Sequence, residues 1–150
     1  MNFKLINLLI IIFSLVLLTF IIYISVNIIK NYSSDDFNEI SDFKVIKVID
    51  GDTFQLYNSE IIRLICIDTP EEGKSDFEDA RRFLESLIMN KEVRLESDID
   101  DKDVYGRSLR YVYVNLNENE IFVNKEMVKY GLAEVFRYGN NTRKCDEIES

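Results

Sequence analysis

A run of 25 residues without a charged side chain, from Leu5 to Ile29, constrains this chain more than any other feature of its sequence. Leu, Ile, Val and Phe dominate the run. As an α-helix it would extend about 37 Å at 1.5 Å per residue, and the hydrocarbon core of a bilayer is about 30 Å thick. The run therefore predicts one N-terminal transmembrane helix that attaches the rest of the chain to a membrane.

Two alternatives stay open for this segment, a cleaved signal sequence and a buried core helix. A cleaved signal has a shorter apolar core and ends in a small-x-small site, which the run does not offer. Lys4 precedes the run, and Lys30 follows it with Asp35 and Asp36 close behind. The positive-inside rule therefore favours a cytoplasmic N-terminus and a main domain outside the cytoplasm. A cleaved segment would instead release a secreted domain.

Composition divides the chain into three parts: an anchor over 1–30, a polar acidic tether over 31–42, and a domain over 43–150. The whole chain carries 18 Lys or Arg against 27 Asp or Glu. Only two of the positive side chains lie in residues 1–30, so the remainder has a net charge of −11. This acidity excludes a broadly basic surface for nucleic acid.

The chain has no histidine and only two cysteines, Cys66 and Cys145. Histidine general acid–base chemistry, histidine-activated nucleophiles and histidine-ligated zinc are thereby excluded. Two cysteines are too few for a four-cysteine zinc site. Because Cys66 lies in an apolar stretch, we expect a buried free thiol there rather than a disulfide. Chemistry would have to come from carboxylates, arginines, tyrosines and a hard metal ion.

Hydrophobic periodicity predicts strands over 43–49, 53–57, 61–67, 92–96 and 109–114, and helices over 76–89 and 124–130. An Asp50-Gly51 turn joins the first two strands. This order of short strands and helices suits an α+β domain, a five-stranded OB-fold β-barrel with two to three helices. Strict alternation along 61–67 would place Arg63 and Asp68 on opposite faces of the third strand.

Three polar clusters stand out in the domain, and each has an ordinary explanation when it is taken alone. Asp50-Gly51-Asp52-Thr53 reads as a hairpin turn. Arg63, five residues before Asp68-Thr69-Pro70-Glu71, reads as an arginine that pairs with a nearby carboxylate, because an unpaired charge in an apolar strand is costly. Tyr105-Gly106-Arg107 reads as a turn at the end of an acidic loop.

Together, however, these clusters carry a family resemblance. The segments Val45–Thr53, Arg63–Glu71, Tyr105–Arg107 and Val123–Ala133 resemble the thermonuclease (staphylococcal nuclease-like) family in order and spacing. The resemblance implies an OB-fold barrel with added helices. It also implies a Ca²⁺-dependent nuclease that hydrolyses phosphodiester bonds of DNA and RNA, with a preference for single strands and 3′-phosphate products.

The resemblance assigns the metal site and the base. Asp52 and Asp68 match the family's calcium carboxylates, and Thr69 matches the position whose backbone carbonyl contacts the ion. Glu71 matches the general base, or the group that orients the attacking water. Calcium is satisfied by carboxylate, carbonyl and water oxygens and needs no histidine.

The resemblance likewise assigns the groups that bind substrate. Arg63 and Arg107 match the two arginines on the scissile phosphate, where planar bidentate donors suit the equatorial oxygens. Tyr105 matches a tyrosine of the nucleotide pocket, and Tyr138 takes the place of another. In this set Arg63, Glu71 and Arg107 are catalytic.

Some features favour other functions. Val104 stands where the family often has a lysine, and the domain is acidic, so few phosphates of a long strand can be neutralised at once. These features favour a binding module that keeps the barrel, binds nucleic acid or protein, and cleaves little. A membrane-tethered structural protein would explain the anchor but not the candidate site residues.

Overall fold

The computed structural model describes residues 3–35 and 41–150, with side chains described only at 6–7 and 12–27 in the first range. It consists of two compact units that divide between residues 39 and 40. The first unit is one helix, α1 (Phe3–Asp35). Among the described residues no helix is long and apolar enough to cross a membrane, so the transmembrane helix expected over 5–29 is not found. The expected tether over 31–42 lies partly outside the described residues.

The second unit confirms an α+β fold built on a mixed, OB-like sheet. Its main sheet has six strands: β1 (Val45–Val48), β2 (Thr53–Leu56), β3 (Ile61–Leu64), β5 (Val93–Glu96), β6 (Ser108–Leu116) and β7 (Asn119–Phe122). The strand order is β1-β2-β3-β6-β5, with β7 also paired to β6. Only β3 and β6 run parallel; the other neighbours in this sheet are antiparallel. A small second sheet pairs β4 (Ile67–Asp68) with β8 (Glu134–Val135).

Three helices pack in this unit: α2 (Phe77–Ile88), α3 (Val123–Lys129) and α4 (Cys145–Glu149). The predicted helix over 76–89 is confirmed as α2. Its buried side chains Ala80, Leu84 and Ile88 recur every four residues and form one apolar face. These side chains join the core, whose largest fully buried members include Tyr111, Phe54 and Met127.

Two local features were not predicted. A tight turn at Asn117 and Glu118, which both have positive φ, leads into β7, where no strand was expected. Asn124, the first residue of the predicted helix over 124–130, lies buried inside α3. Its Oδ1 accepts from Val112 N at 2.9 Å and its Nδ2 donates to Ile65 O at 2.9 Å. The amide thereby ties α3 to the barrel.

The third predicted strand, 61–67, breaks after Leu64. Cys66 has φ of 63°, so the chain turns sharply and begins the new strand β4. The turn is fixed by its backbone: Ile65 N donates to Arg110 O, and Phe136 N donates to Cys66 O. The alternation expected for one continuous strand therefore fails, and Asp68 returns to the side of Arg63.

Cys66 and Cys145 form a disulfide, with their Cα atoms 5.2 Å apart. The expectation of a free buried thiol at Cys66 was wrong, although both residues are indeed buried. The two cysteines are separated by 79 positions, and only the packing of α4 against the barrel brings them together. The disulfide joins the β3–β4 turn covalently to the start of α4.

Candidate active site

Asp52 follows the turn between β1 and β2. Its backbone N–H donates to Asp50 Oδ1 at 3.0 Å, which closes the turn. The Asp52 side chain is buried, and both of its oxygens are held by hydroxyl groups. Thr53 donates to Oδ1 and Thr69 donates to Oδ2, each at 3.0 Å. These contacts give the carboxylate one orientation.

Burial raises the pKa of Asp52 to about 7, because desolvation penalises the charged form. The Arg63 charge opposes this shift, Asp50 adds to it, and the two threonine hydroxyls oppose it. A cation beside this carboxyl would therefore favour its ionised form. The ionised form of the buried Asp52 side chain therefore depends on a positively charged neighbour.

Arg63 supplies such a partner in the described structure. Its Nη2 lies 3.0 Å from Asp52 Oδ2 and 3.0 Å from Asp68 Oδ1. Its Nη1 donates to the backbone carbonyls of Leu64 at 2.6 Å and Ile67 at 3.0 Å. The β3–β4 turn thus folds around the guanidinium. The two predicted metal ligands converge on one point as a result.

One cavity of about 390 Å³ gathers the predicted catalytic and metal residues. Within the described part of the chain it is lined by Asp52, Arg63, Asp68, Thr69, Glu71 and Arg107, and also by Ile49, Asp50, Pro70, Glu72 and Phe77. Glu71 is exposed on the loop after β4. Its carboxylate is therefore accessible to water and substrate in the same cavity as both arginines.

Arg107 comes to this cavity from the start of β6 and is held by Asp103. Its Nε donates to Asp103 Oδ2 at 2.6 Å, and its backbone N–H donates to Asp103 Oδ1 at 2.9 Å. Its Nη1 reaches the Thr53 hydroxyl at 3.4 Å. The guanidinium keeps further donors for a ligand, because a guanidinium carries five N–H groups.

Tyr105 and Tyr138 line a second, adjoining cavity of about 620 Å³ that shares Arg63 and Arg107 with the first. Both tyrosines are strongly exposed, at 82% and 77%. The ring of Phe136 stacks on Tyr138 with centroids 6.0 Å apart. Sequence reasoning missed Phe136, although its spacing of two from Tyr138 in an extended segment was a usable signal.

The donor set fits a hard divalent cation in part. Asp52 and Asp68 place carboxylate oxygens within 3.0 Å of one nitrogen of Arg63, so they already surround a positive charge. Calcium completes its shell with carbonyl oxygens and water. No group of three or more Asp, Glu or Cys side chains in the described ranges is arranged for a metal ion. The site thus offers two carboxylates and requires neutral oxygens for the rest.

Fold and cavity together define a small barrel protein with converging carboxylates and arginines, and comparison with known proteins gives its family. A family model described as "Staphylococcal nuclease homologue" matches residues 61–150. The chain belongs to the staphylococcal nuclease family. The predicted resemblance is thereby confirmed.

Several curated relatives share this domain. The thermonuclease of Staphylococcus hyicus is 37% identical over 116 residues, which cover 71% of this chain and 66% of that protein. The thermonuclease of Staphylococcus intermedius is 37% identical over 110 residues, covering 67% and 63%. The SPbeta prophage-derived endonuclease YokF of Bacillus subtilis is 34% identical over 122 residues, covering 74% and 40%. The chain therefore spans between 40% and 66% of the length of these relatives.

Proposed function

We propose that this protein is a nuclease that hydrolyses phosphodiester bonds of DNA and RNA with Ca²⁺ as its cofactor. One observation carries the proposal: Asp52, Arg63, Asp68, Thr69, Glu71 and Arg107 line a single cavity. Relatives named thermonuclease and endonuclease support the reaction class.

Asp52, Asp68 and Thr69 would hold the ion. When bound, Ca²⁺ supplies positive charge at a phosphate oxygen and so lowers the cost of the negative charge that develops there. Asp52 is oriented for this task by two hydroxyl groups, and Asp68 lies at the cavity mouth with its side chain about half exposed.

Arg63 in β3 and Arg107 at the start of β6 both donate hydrogen bonds to the scissile phosphate. Glu71 accepts a proton from the attacking water while the oxygen of that water forms a bond to phosphorus. The bond from phosphorus to the 5′ oxygen breaks, and the 5′ oxygen takes a proton from solvent. The products are a 3′-phosphate and a 5′-hydroxyl, as the family resemblance implies.

Tyr105 and Tyr138 supply exposed rings on which an unpaired base can stack. A base inside a duplex cannot reach these rings without leaving its stack. The aromatic cavity beside the phosphate site therefore supports a preference for single-stranded substrate.

Location is a separate part of the proposal. We propose a domain outside the cytoplasm, either anchored through residues 5–29 or secreted after cleavage. The uncharged run in the sequence and the Cys66–Cys145 disulfide support this, because disulfides persist in oxidising compartments. Fractionation of cells, with immunodetection before and after protease treatment of intact cells, tests it; a protected protein in the cytoplasmic fraction contradicts it.

The experiment for the reaction is hydrolysis of end-labelled single-stranded DNA by the purified full chain, with Ca²⁺ and then with a calcium chelator. Cleavage that is lost on chelation and restored by added Ca²⁺ supports the proposal. Cleavage that survives chelation contradicts the calcium requirement.

A binding module is the second candidate function, and the exposed Val104 favours it. Val104 is 91% exposed beside Tyr105, where a lysine would have contacted a phosphate. Binding of labelled DNA by the folded chain without any cleavage, unchanged in Glu71→Gln, would replace the nuclease by this alternative.

A further inference from the structure

The loop Ser97–Asp103, the acidic loop, is bonded to Arg107 through its last residue. Asp103 at its end accepts from Arg107 Nε at 2.6 Å and from the backbone N–H groups of Arg107 and Tyr105, each at 2.9 Å. The Asp103 carboxylate thus bonds both the Arg107 guanidinium and the backbone of the turn that carries Arg107. Arg107 is therefore joined to the end of the acidic loop by its side chain and by its backbone.

Asn141 holds the acidic loop from the opposite side. Its Oδ1 accepts from Asp100 N at 2.7 Å and its Nδ2 donates to Asp100 O at 2.9 Å. The side chain therefore pairs with the backbone of one residue as a neighbouring strand would. Asn141 is only 4% exposed, so water does not compete for these bonds.

The segment that carries Asn141 is itself anchored outside the acidic loop. Lys144 N donates to the buried Tyr111 hydroxyl at 3.0 Å, and Cys145 is bonded to the β3–β4 turn. The same segment contacts the acidic loop again, because Arg143 Nη2 donates to Ser97 O at 2.8 Å and Arg143 N donates to Asp98 Oδ2 at 3.1 Å. The acidic loop is therefore aligned against an anchored segment.

The acidic loop is also bonded to β6: Leu109 N donates to Asp101 O at 2.9 Å, and the Tyr111 hydroxyl donates to Asp98 Oδ2 at 2.8 Å. These donors lie in the strand that directly follows Arg107. Asn141 instead joins the loop backbone at Asp100 to a segment 41 positions away. Its contact lies closer in the chain to Asp103 than the Arg143 contacts do.

We propose that Asn141 is a positioning residue for the nuclease reaction and acts on Arg107 through Asp100 and Asp103. The inference rests on the proposed function, because it requires Arg107 to bind the scissile phosphate. It predicts that loss of Asn141 misplaces a correctly folded arginine. A misplacement of about 1 Å at a reacting centre can cost up to about 10²-fold in rate.

A double-mutant cycle on the full chain tests this inference. The kcat and KM for labelled single-stranded DNA with Ca²⁺ are measured for Asn141→Ala in the wild-type and in the Arg107→Ala background. We expect about a tenfold loss of kcat with KM within about twofold in the wild type. In the Arg107→Ala background we expect less than about a twofold further loss, because residues that act as a unit are non-additive.

Asn140→Ala is the matched control, because Asn140 is the exposed neighbour and its described side-chain bond goes to the Asp100 carboxylate, at 3.2 Å, and not to the loop backbone. It should keep wild-type kcat. Asn141→Asp is a second variant that retains an acceptor for Asp100 N and loses the donor. It keeps the test decisive where the alanine variant fails to fold, and it should lower kcat at least about threefold.

The outcomes separate the inference from the function on which it rests. An equal loss of kcat from Asn141→Ala in both backgrounds would show a purely structural role and overturn the inference. Wild-type kcat in Asn141→Asp would overturn it as well. Unchanged activity in Arg107→Ala alone would instead overturn the proposed role of Arg107.

Discussion

Nη2 of Arg63 lies 3.0 Å from Oδ2 of the buried Asp52, so a predicted phosphate ligand and a predicted metal ligand are paired with each other. The pairing offsets the desolvation cost of each charge, since an unpaired buried charge destabilises the folded state. It also means that changes at one residue are felt at the other. Variants at this pair should therefore affect both catalysis and folding.

Arg63→Ala should lower kcat/KM at least about 10²-fold, because it removes a donor to the developing negative charge. It should also lower the urea midpoint, since Asp52 loses its cation and two backbone carbonyls lose their donor. Kinetics and urea titration measure the two effects. Arg82→Ala is the control, because Arg82 is exposed and its described ion pair is with Asp79 in the preceding turn of α2. A loss below twofold in Arg63→Ala would contradict the assignment.

Glu71→Gln should lower kcat by roughly 10² to 10⁴, the range for loss of a general base, and leave the urea midpoint unchanged. The side chain is exposed, so its replacement removes no buried contact. Single-turnover cleavage with Ca²⁺ gives the rate. The exposed Glu92 serves as control through Glu92→Gln. Equal rates for the two variants would exclude Glu71 as the base.

Gly51→Ala should reduce both stability and kcat. A Cβ at Gly51 would lie 2.8 Å from Thr69 Oγ1 and 2.8 Å from Ala80 Cβ, too close for real atoms. The turn must shift, and the Thr69 hydroxyl then loses its alignment with Asp52. Such overpacking costs roughly 1–3 kcal/mol.

Thermal unfolding and kinetics check the Gly51→Ala variant. Gly131→Ala is the contrasting control, because Gly131 has a positive φ of 71° but open space around it, whereas Gly51 has no positive φ and close neighbours. It should lose stability without loss of kcat. Full activity in Gly51→Ala would show that the turn accommodates the added methyl group.

The stability of the domain should fall in acid, partly through Asp98. Burial opposes ionisation of Asp98, but hydrogen bonds from the Tyr111 hydroxyl and the Arg143 backbone, with the Arg143 charge, outweigh it and lower its pKa below 3.8. A depressed carboxyl pKa stabilises the folded state above the unfolded value of about 3.9. This contribution disappears as the pH falls through the lower folded pKa.

Urea midpoints from pH 7 down to pH 2.5 measure this effect. Asp98→Asn should be less stable at pH 7 and should lose less stability between about pH 4 and the acid limit. Asp42→Asn is the exposed control and should follow the wild type. An acid limb of unchanged steepness in Asp98→Asn would contradict the linkage.

Cys66→Ser with Cys145→Ser should destabilise the domain by roughly 2–5 kcal/mol, because the crosslink closes a long loop of the unfolded chain. Urea titration of the wild type with and without a reductant provides an independent measurement. The reduced wild type and the double variant should have the same midpoint. Identical midpoints in oxidised and reduced wild type would show that the disulfide adds no stability.

Local patterns predicted those parts of the fold that depend on neighbours in the chain. The apolar spacing of Ala80, Leu84 and Ile88 sufficed for α2, and Asp50-Gly51 sufficed for the hairpin turn. The predicted catalytic and metal residues line one cavity, and Tyr105 and Tyr138 line the adjoining one. Their catalytic roles remain predictions that the variants above test.

Long-range relationships could not be predicted from the sequence. The Cys66–Cys145 disulfide depends on the packing of a five-residue helix 79 positions away. The break after Leu64 depends on the bonds that Ile65 N donates to Arg110 O and Phe136 N donates to Cys66 O, from distant parts of the chain. Asn124 and Asn141 read as ordinary polar residues until the fold brings Val112 and Asp100 to their amides. The uncharged N-terminal run illustrates a different case: it lies within the helix α1, but no described helix is long and apolar enough to cross a membrane.

The separation of the two cysteines also imposes an order of events during biosynthesis. Cys66 emerges from the ribosome 79 residues before its partner. At roughly 5–20 residues per second, Cys66 waits about 4–16 s as a free thiol. During that time the β3–β4 turn, which folds around the Arg63 guanidinium, either forms without the disulfide or stays unfolded. Oxidation is a late step in maturation, and an oxidant that acts earlier finds only one thiol of the pair.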